Sequence, residues 1–438
     1  MSRKQQQKGA LESNTFYNFV RFKVVPPLFL LLFTGAVQVL VSIGRGQSPC
    51  PLDLNQCKSI CGNAFAWKFV TFSIFWAMVG LWVPGKTFIG PATPEGYRPP
   101  YKANGFLYYT VTSISFILVQ LIFPDLPHLI YENVPEILGC FNIVAFALCV
   151  WLLFDGRRKK KSRNPLLYDF YRGCELHPKL FGCDVKQLTN CRIGLMLWQV
   201  LVIAFVLTQW RNGDGVAGAM TSAILQTIYL AKFFHWETGY FNTLDITYDR
   251  AGYYLCWGCL VWVPVLYTFH SYHQVAFPST MSTGTANVAL LLGIACVLVN
   301  YRIDYEKQVF ATWWNSKERK AGKGSDSRPR LWSRPVSFIP APYVDATGAA
   351  RESALLTSGC WGVARHGNYT FELLCTFFWT VPAAFGHGPI PSMLYFFFLL
   401  ALLVHRVYRD EDKCQAKYGP AWHKYTKAVP YRMIPFIY

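Results

Sequence analysis

Residues 392–414 read SMLYFFFLLALLVHRVYRDEDKC, in which an apolar run changes abruptly into a dense series of cations, carboxylates and tyrosine. The apolar part predicts a membrane helix that ends at the water interface. Lysine, arginine and aromatic residues gather at membrane boundaries by default, so the following tail could be only an interfacial anchor. A pocket for a charged cofactor would also explain the carboxylates among the cations. The residues alone leave both interpretations open.

The composition of the whole chain is typical of a membrane protein. Hydrophobic residues make up 53% of its 438 residues and charged residues only 15%, whereas soluble proteins usually contain about 25% charged residues. The net charge of +18 does not indicate nucleic-acid binding, because the cations lie in loops between apolar segments. We therefore predict an all-α, polytopic membrane protein that contacts membrane lipids and no nucleic acid.

About ten apolar segments are long enough to cross a bilayer, which requires roughly 20 residues. They are residues 24–44, 64–84, 105–124, 136–154, 193–210, 216–236, 252–270, 284–301, 370–386 and 390–405. If the N-terminus is cytosolic, Lys232 lies within a segment and only Arg45, Lys58, Lys68 and Arg211 of the 42 lysines and arginines fall on the opposite side. Because positive charge favours the cytosolic side, we predict that both termini are cytosolic.

This topology predicts four parts of the chain. They are a cytosolic tail (1–23), eight membrane helices (24–301), a long cytosolic loop (302–369), and two last helices with a cytosolic tail (370–438). The middle of the long loop, Lys317 to Arg334, is rich in Lys, Arg, Ser and Gly. That composition predicts a mobile excursion.

Several common chemistries are not favoured by the sequence. Cys256 and Cys259 have the spacing of a redox pair but lie inside an apolar segment, where a thiol lacks the exposed, electropositive setting of a reactive thiolate. A zinc site needs more ligands than His270 and His273 provide, so we predict no metal. A disulfide among Cys50, Cys57 and Cys61, which share one loop, would be structural. The chain has no Walker loop or GxGxxG motif, so a nucleotide would need an unconventional site.

Polar residues at the cytosolic end of the sixth apolar segment are more informative, because burying them in a membrane is costly. Tyr229, Lys232 and Trp236 fall on one helix face. A snorkelling lysine beside an aromatic belt would explain them. A cavity in which a tyrosine hydroxyl donates a proton would explain them as well.

A second cluster closes the long loop, at Trp361, Arg365, His366, Asn368 and Tyr369. The last two apolar segments would form a hairpin that returns the chain to the cytosolic side, so this cluster can meet the C-terminal tail. Arginine and lysine suit phosphates, aromatic rings suit stacking on a flat ring, and asparagine suits an amide. Together these groups favour NADPH over a lipid headgroup.

Four motifs resemble those of a known protein family. They are YKANG (101–105), YDFYRG (168–173), LLTSGCWGVARHGNY (355–369) and RDEDKC (409–414). Over most of its length, from about Pro99 to Tyr438, the chain resembles the sterol reductase family of the endoplasmic reticulum. That family includes sterol C14-, Δ7- and C24(28)-reductases and the lamin B receptor. The stretches ETGYFNTLDITYDRAG (237–252) and CWGCLVWVP (256–264) look most like Δ7-sterol reductases, particularly the plant type.

The resemblance implies a multi-pass enzyme of the endoplasmic reticulum that reduces the Δ7 double bond of a sterol from the bilayer with NADPH, with Δ14 reduction as the alternative. It also implies a complex with other sterol-biosynthesis enzymes. Tyr229 would be the proton donor and Asp410 the functional aspartate after the last span. The matching motifs imply that the cofactor is bound by Lys307, Leu356, Trp361, Arg365, Asn368, Tyr369, Arg406, Asp410, Cys414, Gln415, Ala416, Lys417, Tyr418, Trp422 and Tyr425.

One position departs from the family pattern. The family usually has Phe-Arg-Arg after the eighth span, whereas this chain has Phe310-Ala311-Thr312. Either Lys317 or Arg319 replaces the missing arginine, or the preference for NADPH over NADH is weakened. Two other classes stay open: a membrane methyltransferase of the isoprenylcysteine type, which would bind S-adenosylmethionine, and a non-catalytic sterol-binding protein.

Overall fold

The computed structural model describes residues 15–47, 59–93, 96–316, 328–344, 348–386 and 389–438, and its fold is mostly helical (71%). The α-helices are α1 (Thr15–Phe19), α2 (Val25–Gly44), α3 (Ala64–Trp82), α4 (Gly105–Ile122), α5 (Leu126–Glu132), α6 (Val134–Lys160), α7 (Leu166–Arg172), α8 (Leu195–Asn212), α9 (Val216–His235), α10 (Glu237–Tyr240), α11 (Leu244–Thr247), α12 (Phe269–Ala276), α13 (Thr283–Trp314), α14 (Gly367–Ala384), α15 (Pro389–Ser392), α16 (Leu394–Tyr418) and α17 (Pro420–Ala428). Three segments have the wider hydrogen bonding of a π-helix, namely π1 (Val20–Val24), π2 (Gln187–Gly194) and π3 (Tyr253–Tyr267).

Short antiparallel hairpins, which the sequence did not predict, interrupt the helices. Each hairpin has two strands: β1 (Thr87–Ile89) with β2 (Pro100–Lys102), β3 (Lys179–Leu180) with β4 (Cys183–Asp184), β5 (Arg330–Leu331) with β6 (Arg334–Pro335), and β7 (Phe338–Val344) with β8 (Ala350–Leu356). The fourth hairpin is the longest, with register Phe338 to Leu356. The predicted mobile segment runs from Lys317 to Arg334. Its residues 317–327 lie outside the described residues, and residues 330–334 belong to the third hairpin.

The apolar segments predicted from the sequence each overlap a helical segment, and α3 begins where Asn63 accepts a hydrogen bond from the backbone N–H of Ala66 (2.9 Å). Among the described residues, six helices are long and apolar enough to cross a membrane. Leu31 and Leu121 on such helices are each 76% exposed, which suits lipid rather than water. These features confirm a polytopic membrane protein. The seventh predicted segment is divided between π3 and the short helix α12.

The chain forms two compact units. The first unit contains Met1–Ala286 and Thr380–Tyr395, and the second contains Asn287–Trp379 and Phe396–Tyr438. Each unit carries one of the two groups of candidate residues, with Tyr229 in the first and both residues 355–369 and the C-terminal tail in the second.

Helix α8 lies at the centre of the first unit, since twelve of its eighteen residues are buried. Polar side chains connect it to its neighbour α9. The Trp198 indole donates to Gln226 Oε1 (2.7 Å), and Gln199 Nε2 donates to Thr227 Oγ1 (3.1 Å). Hydrogen bonds between membrane helices fix their rotation, and these two hold the segment of α9 that carries Tyr229.

The second unit has two small apolar cores. One forms around Ile303, Phe310 and Trp361, and the other around Trp422, Tyr425 and Val429. Ile339 and Leu355 of the fourth hairpin pack against the latter core. The hairpin and the C-terminal helix α17 therefore support one another.

Candidate functional site

The end of the long loop and the C-terminal tail meet in the second unit. The backbone N–H of Arg365 donates to Tyr431 O (3.0 Å) and that of His366 donates to Arg432 O (2.7 Å). The Arg365 guanidinium donates to Glu411 Oε1 from Nη2 (2.7 Å) and to Val429 O from Nη1 (2.6 Å). The structure thus brings together the two groups of residues that the sequence separates by about two helices.

Arg365 is therefore already engaged by the protein. It also donates to Glu411 from Nε (3.0 Å) and to Pro430 O (2.9 Å), so most of its donors are used within the chain. Arg432 Nε donates to the second oxygen of Glu411 (3.0 Å). Sequence reasoning did not identify Glu411 as the acceptor that holds both arginines, although an acidic residue among cations was the available signal.

A turn at Gly359–Gly362 positions Trp361. Gly359 has a φ of +61°, a left-handed conformation that favours glycine, and a side chain there would contact Glu306. The completely buried Glu306 carboxylate accepts from the backbone N–H of Cys360 (2.8 Å). The Trp361 indole donates to Ile303 O (2.9 Å), and Lys307 Nζ lies 4.1 Å from the centre of the Trp361 ring. Lys307 and Trp361 are thus neighbours, and Glu306 is a supporting residue that the sequence did not reveal.

Asn368 and Tyr369 follow directly at the start of α14. Asn368 Nδ2 donates to Asp304 Oδ1 (3.2 Å), whereas Asn368 Oδ1 is buried without a hydrogen-bond partner among the described residues. The His366 ring stacks on Tyr369 with centroids 5.3 Å apart, and its Nε2 is another buried atom that no described residue pairs. Burial lowers the pKa of His366 to about 4, although the nearby Asp410 carboxylate opposes the shift. His366 is therefore neutral at physiological pH.

Helix α16 carries most of the predicted tail residues. Arg406, Asp410, Cys414 and Tyr418 recur every four residues, so they share one face of the helix. Burial raises the pKa of the Cys414 thiol to about 12, with Asp410 contributing, so this cysteine stays protonated. Gln415 donates weakly to Gly419 O (3.5 Å), off that face.

The remaining predicted cofactor residues are divided between the surface and the two apolar cores. Lys417 Nζ lies 4.0 Å from the centre of the Tyr343 ring, and Ala416 is exposed. Trp422 and Tyr425 are buried with their ring centroids 5.2 Å apart. Leu356 belongs to the core around Trp361.

Ala311 is exposed on α13, and its methyl group cannot replace an arginine. The two cations suggested as substitutes, Lys317 and Arg319, lie outside the described residues. Cys50 and Cys57 also lie outside them, so the disulfide stays a prediction. In the part of the chain that the structure describes, no three His, Cys, Asp or Glu side chains are grouped to hold a metal ion.

Tyr229 lies within an aromatic cluster of the first unit. Its ring centroid is 6.0 Å from that of Trp198, and Lys232 Nζ lies 6.0 Å from its ring centre. Trp198 also contacts Tyr267 edge-on (5.2 Å) and Tyr395 (6.2 Å). Tyr229 is half-buried, and its role as a proton donor stays a prediction.

Comparison with known proteins is consistent with this arrangement. Residues 45–438 match the model of the ergosterol biosynthesis ERG4/ERG24 family. The chain is 39% identical to a 7-dehydrocholesterol reductase of Arabidopsis thaliana over 381 residues, which are 85% of each chain. It is 31% identical to a 7-dehydrocholesterol reductase of Xenopus laevis, over 80% of this chain and 73% of the other. It is 30% identical to a Delta(14)-sterol reductase of Methylotuvimicrobium alcaliphilum, over 83% and 80%. Because this match covers residues 45–438, the chain belongs to the ergosterol biosynthesis ERG4/ERG24 family.

Proposed function

We propose that this protein is a membrane-embedded sterol reductase that uses NADPH to reduce a ring double bond at the Δ7 position. The observation that carries the proposal is the junction of residues 355–369 with the C-terminal tail, which gathers cations, aromatic rings and an unpaired amide oxygen in one place. The names of the Arabidopsis and Xenopus relatives support the Δ7 position.

The residues of the second unit fit a nicotinamide dinucleotide. Asn368 Oδ1 is an unpaired acceptor that suits the N–H₂ group of a carboxamide. Lys307 and Lys417 lie over aromatic rings, and such point charges suit phosphates. We propose that Trp361, Tyr369, Arg406, Asp410 and the 414–418 segment complete the site. The cofactor site would also be supported by four residues through the contacts described above, namely Arg365, Leu356, Trp422 and Tyr425.

The mechanism follows from the chemistry of the substrate. A carbon–carbon double bond without an electron-withdrawing substituent accepts hydride poorly, whether or not it is conjugated, so one carbon must first be protonated to give a carbocation. Tyr229 would donate this proton from its hydroxyl, and the nearby Lys232 ammonium would favour the phenolate that remains. The second carbon would then take the hydride that NADPH would supply when bound by the residues of the second unit. Asp410 would stabilise developing positive charge.

The topology and location of the enzyme are part of the proposal. We propose ten membrane spans, both termini in the cytosol, and residence in the endoplasmic reticulum membrane. The division of lysine and arginine between the two sides supports this orientation. Single-cysteine labelling from either side of sealed microsomes would test it, and labelling of the tail from the lumenal side would exclude it.

Reduction at Δ14 is the second candidate, because the Methylotuvimicrobium relative carries that name. Expression in yeast lacking its own reductases, followed by gas chromatography and mass spectrometry of the sterols, distinguishes the two. The Δ7 proposal requires 5,7-diene sterols to be replaced by Δ5 products. Titration of purified protein with NADPH and with S-adenosylmethionine tests the methyltransferase alternative, and stabilisation by S-adenosylmethionine alone would favour it.

The role of Tyr229 is tested in the same cells. Tyr229→Phe keeps the ring and removes the acidic hydroxyl, so turnover should fall by about 100-fold or more. Tyr248→Phe is the control, because Tyr248 is 57% exposed and has no proposed role in the reaction. Unchanged sterol composition with Tyr229→Phe would eliminate this tyrosine as the acid.

A further inference from the structure

Helix α12 is a short helix with an unusual content of buried polar groups. Every residue from Phe269 to Val275 is buried, and His270 and Gln274 are 0% and 1% exposed. The two side chains are four residues apart, so they lie on the same face of the helix. Buried polar residues in a membrane protein usually have a functional reason.

His270 and Gln274 lack hydrogen-bond partners of the kind that Ser271 and His273 have. Neither ring nitrogen of His270 and neither amide atom of Gln274 makes a hydrogen bond with any described residue. By contrast, Ser271 Oγ accepts from Gln226 Nε2 (3.0 Å), and His273 Nδ1 lies 3.4 Å from Ser392 Oγ. The Tyr272 hydroxyl is also buried without a partner among the described residues, but only His270 and Gln274 have both a donor and an acceptor atom unsatisfied on one helix face. A group left in this state is costly unless something else binds it.

The surroundings of this pair are flat and aromatic. The His270 ring stacks on Tyr395 with centroids 6.2 Å apart and planes at 12°. Tyr395 in turn contacts Tyr267 (4.4 Å) and Trp198 (6.2 Å). Trp198 is the ring that contacts Tyr229. A continuous series of rings thus connects the unpaired polar atoms to the proposed proton donor.

The donor and acceptor capacity of the pair selects the kind of ligand. A neutral imidazole and an amide each offer one donor side and one acceptor side. A hydroxyl group, which both donates and accepts, can be fully paired by them. Neither residue supplies the opposite charge that a buried anion or cation would need. An uncharged alcohol with a flat apolar body meets both requirements.

We propose that His270 and Gln274 bind the hydroxyl group of the sterol substrate and thereby set which ring carbon faces Tyr229. This inference rests on the proposed function of the protein, because a sterol is a rigid apolar ring system with a single hydroxyl at one end. The hydroxyl bound at one end of the aromatic series would hold the reactive double bond at the other.

The first test uses the unmodified enzyme and two substrates, 7-dehydrocholesterol and the 3-deoxy analogue cholesta-5,7-diene. The analogue leaves the polar pair unsatisfied, so its kcat/KM should be lower by about tenfold or more. Equal values for the two dienes would overturn the inference. If neither diene is reduced, the proposed function fails. The inference is then judged by thermal stabilisation of the purified protein by each sterol.

The second test uses nearly isosteric variants. His270→Phe keeps the ring that stacks on Tyr395, and Gln274→Leu keeps the volume of the side chain. Each should lower kcat/KM for 7-dehydrocholesterol about tenfold and leave the 3-deoxy diene nearly unchanged, so that discrimination disappears. Thr208→Val is the matched control, because Thr208 is buried on α8 but already donates to Ala204 O (2.8 Å).

Retained discrimination in either folded variant would overturn the inference. A variant that becomes more stable and keeps the wild-type preference would show that the polar pair binds only water, which also overturns it. Because the two variants are independent, failure of one to fold leaves the other and the unmodified enzyme as tests.

Discussion

At the scale of single residues, Arg192 and Glu237 form an ion pair that is almost entirely excluded from solvent, with side chains 0% and 3% exposed. Arg192 Nη2 also donates to Asn104 Oδ1 (2.8 Å), and Gly105 has no side chain at the point where one would contact Glu237. Removing one member of a buried pair leaves a charge without compensation. We expect Arg192→Met or Glu237→Leu to lower the free energy of unfolding by about 3–5 kcal/mol.

The double variant Arg192→Met/Glu237→Leu removes both charges, so it should recover a large part of that loss. Unfolding of the four proteins in detergent micelles, followed by tryptophan fluorescence, provides the measurement. Two losses that simply add in the double variant would mean that the pair does not act as a unit.

A second residue-scale prediction concerns the protonation of His366. Its pKa falls from an unfolded value of about 6.5 to about 4 in the folded protein, because the ring is buried. Protons then bind the unfolded chain more readily between these values. The contribution of neutral His366 to the free energy of unfolding is therefore complete above pH 6.5. It decreases by about 1 kcal/mol per pH unit as the pH falls from 6.5 toward 4.

His366→Phe keeps a ring for stacking on Tyr369 and cannot be protonated. The free energy of unfolding of the wild type, minus that of the variant, should therefore decrease as the pH falls from 6.5 to 4. Other titrating groups cancel in this difference. Parallel pH profiles for the two proteins would contradict the assignment of this pH dependence to His366.

At the scale of elements, Glu306 connects helix α13 to the turn that carries Trp361. Besides the Cys360 N–H, it accepts from the Trp332 indole (3.0 Å). Glu306→Ala would leave the backbone N–H of Cys360 without its acceptor, at a cost of about 1–3 kcal/mol, whereas the Trp332 indole belongs to an exposed residue that water can reach. We expect a loss of stability of that size and weaker NADPH binding, because Trp361 and Lys307 lose their support.

Glu306→Gln is the graded comparison, because its amide keeps one acceptor oxygen while it loses the charge. It should therefore retain more stability and more NADPH affinity than Glu306→Ala. Thermal unfolding and isothermal titration with NADPH measure the two effects. Equal NADPH affinity in all three proteins would mean that the turn has no part in cofactor binding.

The long helices could be predicted from sequence because about 20 apolar residues permit few other structures in a bilayer. The fourth hairpin was not predicted, since Pro340 and Pro342 argue against a strand. Both strands of a two-stranded hairpin are edge strands, and a proline can occupy an edge position without losing a ladder hydrogen bond. Local composition does not reveal that only one partner strand is present.

The candidate site shows the same limit. The residue types around Trp361 and Asp410 indicated a dinucleotide, because charge and aromaticity are visible in the sequence. The sequence did not show that Arg365 is engaged by other residues of the protein rather than available to a ligand. Arg365 is held by Glu411, 46 residues away, and that pairing follows from how the tail packs. The unpaired atoms of Gln274 likewise depend on the neighbours that the fold supplies.

At the scale of the whole molecule, the division into two units predicts that binding of cofactor and of sterol can be impaired separately. Glu411 holds Arg365 and Arg432 in the second unit, so Glu411→Ala should loosen the proposed cofactor site. We expect it to weaken NADPH binding about tenfold or more and to leave stabilisation by sterol unchanged. Gln274→Leu in the first unit should do the reverse. Both ligands are titrated against each purified variant and against wild type, with thermal unfolding as the readout. If each variant lost both ligands in equal measure, the two sites would not be separable, and the assignment of cofactor to one unit and sterol to the other would be wrong.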